Sequence, residues 1–462
     1  MRAPRTPRTD RGRLLLVLAL ATAVTVFTAT VPLLRDWFDL RVYHGTVHSW
    51  VHDGGRVYDY RVPGTPYGFT YPPFAAVAML PMALVGLRTA IAVALLLNLT
   101  ALAAVARVLA GPGWRRHGWY GVALAACALA LFEPLRDTFS FGQVNLLLLA
   151  LVLTDCLLLS TGRSRWAGIG IGLAAAVKLT PALFIGLLLV AHRRRAAAVA
   201  TGVAVGATAA AALVDPDASR FYWTHALWDT TRVGRLDYVS NQSLQGVLAR
   251  LGVESRPVWA VLVVLVLCGW ALRARRAAAA GDWTAAFALT GLTACLVSPV
   301  TWVHHLVWLL PSFAVLVRAG HHRTAAALYA VLCTSVVWLW FDDASGVDGF
   351  LGSNLYTWIT LGLLVWLPVG HPPRTRRRTT VSTSATATPP DTAAPVTTAA
   401  ADQPGSASSP AAAGDAEGPA AVTGAESGPG RLRVARSASR EPTGSTCPAA
   451  SNPQSSSSRA SS

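Results

Sequence analysis

Residues 35–73, RDWFDLRVYHGTVHSWVHDGGRVYDYRVPGTPYGFTYPP, hold four carboxylates (Asp36, Asp39, Asp53 and Asp59) in an otherwise very apolar chain. Asp36 and Asp39 are three residues apart, so a helix running through them projects both from one face. A carboxylate at the end of a membrane helix can act as general base towards a hydroxyl, and partial burial raises its pKa towards a useful value. Acidic residues that only mark a helix end give the same pattern, and spacing alone leaves both readings open.

Other polar residues stand out for their rarity. Lys178 is the only lysine among 39 Lys and Arg, and it lies in an apolar segment beside a Thr180-Pro181 break. A compact ammonium with three donors suits a phosphate oxygen, and arginine is not its equivalent. Gln143 and Asn145 follow Glu133, Arg136 and Asp137 at the mouth of a helix, where they can bind a sugar or phosphate or cap the helix. Asn241 and Gln242 close a second polar loop, and His304 and His305 open a later helix. Adjacent helical side chains point about 100° apart, which suits hydrogen bonding to a phosphate or sugar better than shared metal ligation.

The elements that must position these groups read as membrane helices. Hydrophobic residues make up 53% of the chain and charged residues 13%, and mean hydropathy is +0.43, outside the range of soluble domains of this size. An apolar run over residues 14–34, too long for a cleavable signal, follows an arginine-rich start and predicts an uncleaved, cytoplasm-anchored first helix. Further spans are predicted over 89–110, 119–132, 144–159, 196–214, 258–272, 283–296, 303–317, 324–340 and 355–368. Residues 74–86 are expected to form a short re-entrant or interfacial segment and not a full span, and 166–191 two segments broken near Lys178-Pro181. About twelve crossings result, with both termini cytoplasmic. Before the tail, every acidic residue except Asp10, Asp155 and Asp282 then falls outside, and the dense arginine clusters inside. The candidate groups all map to the outer face, which favours one site built from many helix ends.

The fold class is therefore an all-α polytopic membrane protein in three parts: a basic cytoplasmic N-terminus (1–13), a transmembrane domain (14–370) and a tail (371–462) rich in Ala, Ser, Thr, Pro and Gly. The tail is too poor in large apolar residues to build a core and is expected to be disordered. The net charge of +16 sits in clusters between apolar runs, as topology signals do, and nucleic-acid binding is not expected. Six cysteines are scattered singly, with no spacing for a disulfide framework or a metal site. A transporter would place charges near the bilayer midplane, often in two repeated halves; here no repeat is found and the charges collect at one surface.

The ordered motifs DLRVY, FTYPP, FGQVNLLL, AAAVKLTP, NQSLQGVLAR and SPVTWVHHLVW, over residues 39–308, resemble glycosyltransferase family 87, the polyprenol-phosphate-mannose-dependent mannosyltransferases of actinobacteria. The resemblance implies a GT-C fold and inverting transfer of mannose from polyprenyl phosphate to a glycolipid or glycan hydroxyl outside the membrane, with no cofactor beyond the lipid-linked donor. It places the general base on Asp39, with Asp36 second. It assigns donor or acceptor contacts to Tyr71, Gln143, Asn145, Lys178, Asn241, Gln242, His304 and His305, and requires no metal. Another lipid-phosphate sugar, such as arabinofuranose, remains open, because nothing in the sequence reads hydroxyl stereochemistry.

Overall fold

The computed structural model describes residues 9–30, 36–111, 118–163 and 165–370. The expected tail and the first eight residues lie outside this set. Among the described residues the protein is helical throughout, with one isolated bridge between Arg61 and Gly68. In chain order the helices are α1 (Asp10–Thr30), α2 (Phe38–His52), α3 (Pro73–Met79), α4 (Leu87–Ala110), α5 (Gly118–Leu131), α6 (Glu133–Phe141), α7 (Asn145–Ser160), α8 (Ile169–Val177) and α9 (Leu183–Val190). They continue as α10 (Arg194–Val214), α11 (Pro216–Thr224), α12 (Leu244–Arg250), α13 (Arg256–Ala279), α14 (Trp283–Val297), α15 (Leu310–Arg318), α16 (His322–Cys333), α17 (Gly346–Ser353) and α18 (Leu355–Trp366).

Four of these, α1, α4, α10 and α13, are long and apolar enough to cross a membrane, and the bent pair α5–α6, turned by 74°, makes a fifth if it is one span. Their exposed leucines and valines, such as Leu15, Leu96, Val205 and Leu265, have no protein cover, as a lipid-facing surface requires. Six shorter apolar stretches of 10–17 residues, some of them a helix joined to a 3-10 turn, follow among the described residues.

Several predicted spans are broken within the structure. Residues 303–317 divide into a 3-10 turn (Val303–Leu309) and α15, with Pro311 in the first turn of the latter. The predicted 324–340 helix stops at Cys333, where Ser335 turns to φ 57°. Arg273, Arg275 and Arg276, just past the predicted end of the 258–272 span, lie within the last turns of α13. The break at Lys178 falls where expected: its backbone is extended (φ −147°, ψ 133°) and a 3-10 turn at Thr180–Ala182 follows.

The centre of the fold is α14, buried from Ala285 through Leu296. It is apolar on every face, and small residues such as Ala288 and Gly291 let its neighbours close in; a Cβ on Gly291 would sit 3.2 Å from Trp308. A second, smaller core covers the segment between α1 and α4, which is therefore a packed unit and not an open loop. Leu40, Tyr43 and Val47 of α2 pack there against Phe69, Tyr71 and Ala75.

One contact seats this unit. Asp36 and Trp37 adopt left-handed conformations (φ 47° and 54°), so the first helix does not continue through Asp36, and the Trp37 N–H bonds to Ser140 O at 3.0 Å. Gly142, at φ 70°, ends α6, and a Cβ there would lie 2.6 Å from Leu40 Cβ. Left-handed backbone and this contact both demand glycine. Gly142→Ala is expected to cost about 2 kcal/mol from these causes together, read as a lower melting temperature in detergent. An unchanged melting temperature would show that α2 does not depend on this approach.

Candidate active site

Asp39 lies in the first turn of α2, one turn before Tyr43, so both side chains leave the same helical face. Tyr71 is held just before α3, whose start is fixed by Pro73 at its first position. Gln143 and Asn145 flank the turn into α7, directly after Gly142. The close approach at Gly142 therefore brings α2 alongside Gln143.

The side chains connect in series. The Tyr43 hydroxyl donates to Tyr71 Oη (2.9 Å), Tyr71 donates to Gln143 Oε1 (3.0 Å), and Gln143 Nε2 donates to Asp39 Oδ2 (2.7 Å). Because Oε1 accepts from Tyr71, the amide has one orientation, with its donor facing the carboxylate. Asp39 is half-buried, and burial pushes its carboxyl up to about 6, against the lowering effect of the Gln143 hydrogen bond and the Lys178 charge. Burial also raises the Tyr71 hydroxyl well above its ordinary value, so it stays a donor.

On the other side of Tyr71 stands Lys178. Its Nζ lies 5.3 Å from the centre of the Tyr71 ring, 3.2 Å from Asn145 Oδ1 and 2.7 Å from His305 Nε2. The Trp302 N–H donates to His305 Nδ1 at 3.1 Å. With Nδ1 accepting, a neutral ring carries its proton on Nε2 and donates it to an uncharged amine; an ammonium at Lys178 requires the other tautomer and gives up the Trp302 bond. The pair can thus change by one proton with little movement of side chains.

Asp39, Tyr71, Gln143, Lys178 and His305 line one cavity of about 770 Å³, while Asn145 reaches the cavity only through Lys178. Asp137, which also lines it, is buried. A base and a nitrogen cation separated by one aromatic ring, in a space large enough for a sugar and part of a lipid, can run a displacement at a carbon bonded to a phosphate.

Of the other predicted contacts, Asp36, Asn241 and Gln242 lie outside the cavity lining and His304 is part of it. Asp36 is exposed and paired with Arg41 at 2.8 Å, outside the cavity lining. Asn241 and Gln242 are fully buried and spent on the fold. Asn241 accepts the Thr301 N–H (2.9 Å) and donates to Leu236 O (2.9 Å). Gln242 donates to Ser353 O (2.7 Å) and accepts from the Thr357 N–H (3.0 Å), tying the loop to α18. His304 lines the cavity with its ring edge-on to Phe141 (5.0 Å), and its carbonyl accepts from Thr138 and from Asn145. Tyr43 was missed although the Asp39-to-Tyr43 spacing of four placed it beside the carboxylate.

The arrangement is that of a membrane-embedded group-transfer enzyme. The family model for glycosyltransferase family 87 matches residues 69–299. One relative, a polyprenol-phosphate-mannose-dependent alpha-(1-2)-phosphatidylinositol mannoside mannosyltransferase of Mycobacterium tuberculosis, is 34% identical over 320 residues, 65% of this chain and 74% of its own. A protein of the same description from Mycolicibacterium smegmatis is 31% identical over 370 residues, covering 74% and 78%. The pentamannoside mannosyltransferase of that organism is 35% identical over 325 residues, covering 67% and 76%. No solved structure is a significant match. This chain belongs to glycosyltransferase family 87, and it is a glycosyltransferase. The matched segment contains Tyr71, Gln143, Asn145 and Lys178, and stops short of Asp39 on one side and His304 and His305 on the other.

If Asp39 is the working base, sugar transfer falls as pH drops through about 6, where its carboxylate takes up a proton. Gln143→Leu removes a hydrogen bond that favours the ionised form, so the acid limb of the pH–rate profile moves to higher pH. An acid limb at the ordinary carboxylate value of about 4, or one that Gln143→Leu leaves in place, would assign the titration to another group.

Proposed function

We propose that this protein transfers mannose from a polyprenyl-phosphate donor to a hydroxyl of a phosphatidylinositol mannoside or related glycolipid. Donor and acceptor classes are taken from the descriptions of its relatives. The observation that carries the chemistry is the Gln143–Asp39 hydrogen bond, at 2.7 Å, in the cavity that also holds Lys178. Asp39 removes the acceptor proton as the oxygen attacks the anomeric carbon. The bond from that carbon to the phosphate oxygen breaks, and the electron pair leaves with polyprenyl phosphate. Lys178, with His305 as proton partner, meets the negative charge that develops there. Attack and departure on opposite sides invert the anomeric carbon.

The charge pattern, with dense arginine clusters at one end of the predicted spans and most acidic residues at the other, supports a reaction on the outer face of the membrane. The count of about twelve crossings goes with this reading and requires the shorter helices to cross as well.

The test is mannose transfer from synthetic polyprenyl-phosphate mannose to membrane glycolipids, comparing wild type with Asp39→Asn at matched expression. Wild type is expected to be active and the variant slower by at least about a hundredfold, the scale of a lost general base. Equal rates would remove Asp39 from the mechanism; an inactive wild type, with acceptor supplied, would move the donor assignment to another lipid-linked sugar.

A further inference from the structure

The cavity wall changes character along its length. Beside Lys178 it is aliphatic, with Leu179 and Leu183 on one side and Ala294 and Val297 of α14 on the other. Beside Asp39 it is aromatic. Phe38, the neighbour of Asp39, meets Tyr67 edge-on at 6.2 Å. Tyr238 lines the same cavity as Tyr67, and its ring lies 6.3 Å from that of Trp302. All four rings line the cavity and none is fully buried.

Gly234 keeps this arm open. Its φ is 140°, and a Cβ there would lie 3.1 Å from the Trp302 ring and 3.9 Å from Tyr67. Polar groups border the rings: Arg235 and Asp237 form an ion pair at 2.6 Å, Arg235 covers Tyr238 at 5.4 Å, and Ser240 lines the cavity.

These two walls suit different ligands. A prenyl chain gains from aliphatic surface and has nothing to offer phenol hydroxyls. A hexopyranose has a face of C–H bonds that meets the negative face of an aromatic ring, and equatorial hydroxyls that reach polar groups around its edge. The donor sugar is bonded directly to the phosphate, so it occupies the gap between Lys178 and Asp39. The aromatic arm starts at Phe38, beside Asp39, and runs past Tyr67 and Gly234 to the ring of Trp302.

We infer that Phe38, Tyr67, Tyr238 and Trp302 form a subsite for a hexopyranose ring of the acceptor, holding its C–H face on the aromatic rings and its reacting hydroxyl towards Asp39. The inference rests on the transferase reading for the acceptor's role, but the sugar subsite itself can be tested without turnover.

The experiment is saturation-transfer NMR of methyl α-mannopyranoside with the purified full-length chain in detergent. Wild type is expected to bind the sugar, and Trp302→Leu and Tyr238→Leu to weaken it at least about tenfold, a difference readily resolved in Kd. Tyr67→Phe keeps the ring, removes only the hydroxyl and should cost less than Tyr67→Leu. Melting temperatures identify any variant that has not folded, and the folded ring-removing leucine variants, with Tyr67→Phe as the ring-keeping control, carry the test. No saturation transfer to wild type, or equal binding by folded variants, overturns the subsite. On the same preparations, KM is measured separately for donor and acceptor. A rise confined to the acceptor supports the inference, and a rise confined to the donor overturns it. Failure of mannose transfer in wild type counts against the transferase reading alone, since the binding result still decides whether the arm holds a hexose.

Discussion

The site depends on a backbone approach at Gly142. Because residue 142 has no side chain and can take φ 70°, Leu40 comes against it and α2 lies on the turn between α6 and α7. Two consequences follow from that contact. Asp39 reaches the donor end of Gln143, and the small core of α2, Phe69 and Tyr71 closes over the mouth of the larger bundle around α14. The carboxylate and Lys178 belong to segments 139 positions apart in the chain, and a single turn joins them.

Taking a carboxylate out of water is costly unless its charge is answered. Gln143 answers it with one short hydrogen bond, whose direction is imposed from behind by Tyr71 and Tyr43, and Lys178 with charge. The balance leaves Asp39 more basic than a surface aspartate yet ionised at neutral pH, the state that a general base requires. Tyr71 serves both halves of the site: its hydroxyl orients the amide that holds Asp39, and its ring faces Lys178 Nζ.

The parts of the site legible in the sequence were those marked by rarity. A lone lysine at a Thr-Pro break, a glutamine and an asparagine at a helix mouth, and an aspartate soon after the first apolar run are conspicuous among apolar residues, and the structure gathers them. Asn241 and Gln242 were equally conspicuous, yet their amides are consumed by backbone groups of α18 and of the turn before His304. Composition cannot separate an amide that binds a ligand from one that satisfies buried backbone, because the difference lies in tertiary partners. Asp36 lies outside the cavity for a local reason: two left-handed residues turn the chain before α2, so its three-residue spacing from Asp39 is not a helical one. The helix breaks at Leu310 and Ser335 were hidden for a similar cause, since apolar periodicity continues across them.

The central claim is that one carboxylate and one amine act on a single displacement from opposite sides of Tyr71, with no covalent sugar–enzyme intermediate. The measurement that tests it most directly is the anomeric configuration of the transferred sugar, read by NMR of the product and compared with that of the donor. The account predicts the opposite configuration in donor and product. Retention of the donor's configuration, with a glycosyl group trapped on the protein, would contradict it.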